Sequence, residues 1–237
     1  MRTCFFVIDL SVHLSAEQTC TAPKERLLRL AKLLLVCALA VAANRLIAIF
    51  IVDFLQFPLF ADTIFTAATT FAAGLIPGLA VALFSWFAFG IENGYLHSFF
   101  PVAIAEVLLI WRLKPAAPAL SLARSRIIHS QREKEHRTAL FIGVLATLML
   151  LYIICAVVIS ALGGLMDYWI YAVRGRERAF FLTIDAFRES FLLEDIHVLA
   201  ANIFARIPVN LIDRFIVIFG GYAISRVLVL LLKSPSR

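Results

Sequence analysis

Long apolar stretches separated by short polar segments form the main pattern of the chain. A helix needs about 20 mainly apolar residues to cross a membrane, and the chain predicts spans at about 33–52, 54–74, 78–96, 97–113, 139–166 and 208–232. We therefore expect an all-α membrane protein, a six-transmembrane-helix bundle that forms a single membrane domain over residues 27–237. Residues 1–26 are expected to be a cytoplasmic amino-terminal tail, because Asp9 interrupts an apolar core too short for a convincing signal peptide.

Two local signals predict where helices break and begin. The run Gly74-Leu75-Ile76-Pro77-Gly78 divides residues 54–96 into a helical hairpin. Asp62 precedes a short helix and is predicted to cap its amino terminus. Pro208 is predicted in the first turn of the last span, where its missing N–H costs nothing.

The distribution of positive charge predicts the orientation in the membrane. Residues 112–137 carry seven Lys or Arg against two Glu, which is typical of a cytoplasmic loop. A basic collar also precedes the first span, so both termini are expected in the cytoplasm. Residues 167–206 then lie outside. An amphipathic segment at the membrane interface is predicted there by the helical spacing of Phe180, Ile184, Phe187 and Phe191.

Composition narrows the possible functions. The chain is 62% hydrophobic and 16% charged, against roughly 45–50% apolar and about 25% charged in soluble domains, which excludes an ordinary soluble enzyme. The net charge of +6 lies mostly beside apolar runs, so it indicates anionic lipid rather than nucleic acid. The four cysteines are far apart and lack metal-ligand spacing, and familiar catalytic motifs are missing from the sequence. We expect no metal, no cofactor and no catalysis.

Ionisable side chains within apolar stretches are the strongest indication of a site. Each costs roughly 2.5–3.5 kcal/mol at the centre of a membrane helix, so it needs a partner, water or a function. Together with nearby polar groups they predict a substrate pocket open to the exterior: Arg45, Asp62, Glu92, Asn93, Tyr95, His97, Glu106, Asn210, Asp213 and Arg214. The alternative is that Arg45 pairs with Asp62 or Glu92, and Asp213 complements its helix terminus, only to neutralise charge.

Three segments together resemble a known family. Ala38 and Ala42 form a small-xxx-small step in the first span, followed by the hairpin FPLFADTIFTAATTFAAGLIPGLAVAL and the ending IPVNLIDRFIVIFGGYAISRVL. Over about residues 30–111 and 200–232 the chain resembles the substrate-binding S components of energy-coupling factor (ECF) transporters. The resemblance implies capture of a vitamin, nucleobase-like compound or metal ion from outside, and a complex with a transmembrane T component and two ABC ATPases. It also implies that Ala38 and Ala42 contact the T component.

Two functions are therefore expected from the sequence. The first is a multi-pass substrate-capture subunit in the cell (inner or cytoplasmic) membrane, which binds a small organic micronutrient for ATP-driven uptake by its partners. The second is a membrane sensor or interaction module that signals through a cytoplasmic partner.

Overall fold

The computed structural model describes residues 23–54, 61–93, 99–115, 131–173 and 182–232. Within these ranges the regular structure is entirely helical, which confirms the predicted all-α class. The α-helices are α1 (Pro23–Ala48), α2 (Ile64–Ala73), α3 (Leu75–Asn93), α4 (Phe100–Leu113), α5 (Gln131–Asp167), α6 (Leu182–Leu193), α7 (Val198–Phe215) and α8 (Gly221–Leu232). π-helical segments at Ile49–Phe54, Tyr168–Val173 and Ile216–Gly220 extend α1 and α5 and join α7 to α8.

Three of the described helical stretches are long and apolar enough to cross a membrane. They are Leu27–Ile51, Thr138–Ile170 and Val198–Leu232, of 25, 33 and 35 residues, against the roughly 20 that a span requires. The apolar helices Ile64–Ala73 and Leu75–Ala88 are shorter. The chain is thus a helical membrane protein.

Helix α2 is short and lies among four neighbours, packing against α1, α3, α4 and α8. Its sequence is rich in Ala and Thr, and residues 66–70 are all buried. Small side chains allow this close approach. Two of the buried hydroxyls are satisfied within the helix, because Thr69 donates to the Phe65 carbonyl at 2.8 Å and Thr70 to the Thr66 carbonyl at 2.7 Å.

The start and the end of α2 differ from the sequence prediction. Thr63, not Asp62, is the residue before the helix, and its side chain makes no capping hydrogen bond. Asp62 instead lies in a 3-10 turn, Ala61–Thr63. The break after α2 is confined to Gly74, whose φ of +94° is accessible to glycine at little cost, and α3 follows at once with Pro77 in its first turn, where proline is tolerated.

Helix α7 begins ten residues before the predicted start of the last span. Residues from Val198 onward are already helical, and Pro208 lies inside the helix rather than in its first turn. An interior proline removes one backbone hydrogen bond, but such prolines are tolerated in membrane helices where neighbours compensate. The added turns are held by packing, because Ala205 and Val209 form a buried cluster with Ile184 of α6.

Helices α5 and α7 approach each other closely at Gly164. A Cβ atom placed there would lie 2.6 Å from the Cα of Ile203 and 2.7 Å from its backbone nitrogen. Only glycine permits this separation, which brings the polar face of α7 against α5. The main apolar core lies beyond this crossing and includes Ala67, Ile110, Leu151 and Val217.

Candidate functional site

The ion pair between Arg214 and Glu106 is at the centre of the site. Arg214 Nη1 lies 2.7 Å from Glu106 Oε2, and the two side chains are only 4% and 2% exposed. Arg214 also contacts the preceding residue, donating from Nε to Asp213 Oδ2 at 2.9 Å and from Nη2 to the same oxygen. One guanidinium thus joins carboxylates from α4 and α7 inside the helical bundle.

The 3-10 turn before α2 completes this network. Thr63 Oγ1 accepts from Arg214 Nη1 at 3.3 Å and donates to Glu106 Oε1 at 3.3 Å. The neighbouring Asp62 carboxylate is close enough to interact electrostatically with Asp213, Arg214 and Glu106. We call these residues the Arg214 cluster: Asp62, Thr63, Glu106, Asp213 and Arg214.

The hydrogen-bonding capacity of the Arg214 cluster is unevenly used. A guanidinium has five N–H donors, and Arg214 directs four of them to Asp213, Glu106 and Thr63. Asp213 is fully buried, yet its Oδ1 atom has no hydrogen-bond partner among the described residues. The cluster therefore has little donor capacity left and an acceptor that is unused.

Asn210 makes a separate contact, one turn before Arg214 on α7. Its amide donates to Ser160 Oγ of α5 at 3.0 Å. Four residues earlier, Arg206 Nε donates to Asp167 Oδ2 at 2.7 Å, and its guanidinium carbon lies 5.1 Å from the centre of the Phe99 ring. Asn210 and the Arg206–Asp167 pair thus continue the polar face of α7 away from the Arg214 cluster.

Four of the predicted pocket residues meet in the Arg214 cluster, namely Asp62, Glu106, Asp213 and Arg214. Arg45 is half-buried near the end of α1. Glu92 and Asn93 belong to the last turn of α3, but their side chains lie outside the described part of the structure. Tyr95 and His97 also lie outside the described residues.

Asn44 is a buried polar residue that sequence reasoning did not select. Its Nδ2 donates to Thr66 Oγ1 at 2.9 Å and to Ser85 Oγ at 3.1 Å, while its Oδ1 accepts from the Phe65 backbone N–H at 3.0 Å. It therefore ties α1 to α2 and α3. The signal was available, because Ala40, Asn44 and Ala48 are spaced by four and form the buried face of α1.

The other missed residues are Thr63, Ser160 and Asp167. The spacing of Asn202, Arg206, Asn210 and Arg214 by four residues was a usable signal for one polar helix face. Nothing in the sequence indicated which residues of α5 face it.

The opposite face of α1 is exposed and includes both predicted interface residues. Ala38 and Ala42 are exposed, and they lie among large exposed side chains that include Leu35, Leu39 and Leu46. With respect to the described residues, this face is thus open to lipid or to another helix.

The fold and the site define a helical membrane protein with a buried cluster of ionisable groups. Within the described part of the chain, no group of three or more His, Cys, Asp or Glu side chains is arranged to hold a metal ion. In comparisons with known proteins, the chain matches no family model, no curated protein and no solved structure.

Proposed function

We propose that this protein captures a small polar solute within a helical membrane bundle and presents it to partner subunits for uptake. The observation that carries the proposal is the Arg214 cluster, in which the turn before α2, α4 and α7 contribute three carboxylates around one guanidinium. Ionisable groups at such positions are costly and are functional by default in membrane proteins.

A purely structural role accounts poorly for this composition. Charge neutralisation of Arg214 needs one carboxylate, and Asp213 already contacts it through two nitrogen atoms. Additional buried carboxylates increase the desolvation cost without further neutralising the arginine. An acceptor-rich cluster of this kind is better suited to a bound solute that contributes the remaining interactions.

The local backbone also supports a binding role. The π-helical segment Ile216–Gly220 follows Arg214 almost directly, and π-bulges occur frequently at functional sites because they change the direction of side chains along a helix. Pro208 lies in the same helix, just before the cluster. Broken or irregular membrane helices commonly line solute sites.

The finer form of the proposal is an S component of an ECF-type importer. In this form, six spans cross the inner or cytoplasmic membrane with both termini in the cytoplasm, and the exposed Ala38–Ala42 face of α1 contacts a T component that works with two ABC ATPases. The exposure of Ala38 and Ala42 supports this, because small residues that the rest of the described structure leaves exposed can accept a partner helix at close distance.

Native purification tests this proposal. The protein is extracted with its surrounding lipid, and bound small molecules and proteins are identified by mass spectrometry. We expect a bound solute together with ATPase subunits. A signalling kinase that co-purifies without solute or ATPases would instead support the sensor function. If neither a solute nor a partner were found, the proposal would be contradicted.

Two variants separate solute binding from assembly. Glu106→Gln should lose solute while keeping the partner subunits, since Glu106 belongs to the Arg214 cluster. Ala38→Trp should lose the partners while keeping solute. Ala146→Trp is the matched control, because Ala146 is exposed on α5 and lies outside the proposed interface. Equal loss of partners in both Trp variants would show that Ala38 has no specific role.

A further inference from the structure

The charge balance of the Arg214 cluster indicates which class of solute it accepts. Asp62, Glu106 and Asp213 provide three carboxylates against the single guanidinium of Arg214. Arg45 lies on α1 beside Asn44, and including it would still leave three carboxylates against two guanidinium groups. With its carboxylates ionised, the cluster has an excess of negative charge inside an apolar bundle, where uncompensated charge is strongly unfavourable.

The hydrogen-bonding capacity of the Arg214 cluster independently indicates the class of solute. Arg214 directs four of its five N–H donors to protein oxygens, so an anionic solute would find at most one donor on it. Asp213 Oδ1 is a buried carboxylate oxygen without a hydrogen-bond partner among the described residues. The missing component is therefore a donor that also carries positive charge.

On the basis of the proposed function, we propose that the Arg214 cluster binds the cationic end of an organic solute. This end is an ammonium or amidinium group that donates to Asp213 Oδ1. Arg214 acts as a positioning residue, because it holds the carboxylates of Glu106 and Asp213 together through its own contacts. Asp62 supplies further negative charge from the turn before α2.

Charge-assisted hydrogen bonds contribute more than neutral ones to such recognition. A solute cation that reaches Asp213 Oδ1 would satisfy the buried acceptor and reduce the excess charge in one contact. A neutral solute of the same shape would satisfy only the acceptor, and an anionic one would add repulsion. We therefore expect the cation to bind most tightly, the neutral compound less tightly and the anion least.

Three compounds of similar shape test this order: benzamidine, which is cationic, benzamide, which is neutral, and benzoate, which is anionic. Binding to the full chain in lipid nanodiscs is measured by calorimetry and by the shift in unfolding temperature. We expect benzamidine to bind at least about tenfold more tightly than benzamide, a difference typical of an added charged hydrogen bond. We expect benzoate not to bind.

Substitutions in the Arg214 cluster test where benzamidine binds. Asp213→Asn and Asp62→Asn should each weaken benzamidine binding by about tenfold or more, and Asp62→Asn keeps the test usable if the fully buried Asp213 is required for folding. Asp167→Asn is the matched control, because it removes a buried carboxylate from the separate pair with Arg206 and should leave benzamidine affinity unchanged.

Several results would overturn the inference. One is an affinity of benzamide or benzoate equal to that of benzamidine, and another is equal binding of benzamidine to the Asp62 and Asp213 variants. A third is failure of benzamidine to bind at any pH, which is expected if protons alone neutralise the cluster. A neutral or anionic solute found bound in the natively purified protein would overturn the cation assignment and leave solute capture in place. Natively purified protein without any bound solute would contradict both the cation assignment and the proposed solute capture.

Discussion

Arg214 on α7 and Glu106 on α4 form an ion pair with 2.7 Å between Nη1 and Oε2, buried within the helical bundle. Their positions are distant in sequence, so the pair forms only when the two helices pack. Removing one member of a buried pair leaves an uncompensated charge, which costs more than the pair itself contributes. The stability of the bundle is therefore coupled to the composition of the Arg214 cluster.

Substitution of Arg214 should destabilise the protein strongly. Arg214→Met leaves Asp213 and Glu106 without their guanidinium partner, and we expect a loss of about 3–5 kcal/mol in the free energy of unfolding. Denaturant unfolding in detergent measures the change. Glu189→Gln is the control, since Glu189 pairs with Arg188 on the surface of α6 and such pairs contribute little. If both variants were equally stable, the pairing of Arg214 with Glu106 would have no structural importance.

The close approach of α5 and α7 should not tolerate a methyl group. Gly164→Ala places a Cβ atom 2.6 Å from the Cα of Ile203, so the helices must separate, at a cost of about 1–3 kcal/mol. Gly143→Ala is a matched control on the same helix, because a Cβ atom there meets nothing within 4 Å. That variant should be neutral or slightly more stable, by up to about 1 kcal/mol. Thermal unfolding compares them, and equal stability would contradict the observed crossing.

Loss of the Asn44 amide should weaken the junction of α1, α2 and α3. Asn44→Leu keeps the number and branching of the side-chain heavy atoms but removes all three hydrogen bonds and leaves the Phe65 N–H without its acceptor, so we expect a loss of about 1–3 kcal/mol. In the control Thr147→Val, the lost hydroxyl bonds, among the described residues, only the Gly143 carbonyl of its own helix. Unfolding in detergent should separate the two variants, and identical curves would argue against a joining role for Asn44.

Asp167 and Arg206 should be energetically coupled. They are 6% and 13% exposed and 2.7 Å apart, so the effects of Asp167→Asn and Arg206→Gln should not add. A double-mutant cycle should give a coupling energy of about 1–3 kcal/mol. Strictly additive effects would mean that the pair contributes nothing beyond its separate residues.

The predicted orientation can be tested by labelling single cysteines. Ser125→Cys lies in the basic loop, and Ser190→Cys lies on an exposed position of α6. In a background without the four native cysteines, an impermeant thiol reagent applied from outside should label position 190 and should label position 125 only after the membrane is opened. The reverse pattern would invert the topology and remove the outward-facing site.

The all-helical membrane class followed from the sequence because it depends on local composition. Runs such as residues 33–52 and 139–166 are apolar over the length of a membrane, and in lipid a helix is the structure that satisfies its own backbone. The ionisable residues that are energetically costly in a membrane could be recognised in the sequence for the same reason. Asp62, Glu106, Asp213 and Arg214 stand out against apolar neighbours, whatever they contact.

Tertiary packing decided which of these residues meet. Arg214 selects Asp213, Glu106 and Thr63, while Asn210, one turn away, faces Ser160. Helix phase places both on one side of α7, but only the arrangement of α4, α5 and the turn before α2 determines their partners. The early start of α7 at Val198 has the same origin, because contacts with α6 stabilise a segment that the interior Pro208 would otherwise weaken. Apolar content is a property of each segment, whereas pairing of buried charge is a property of how segments pack.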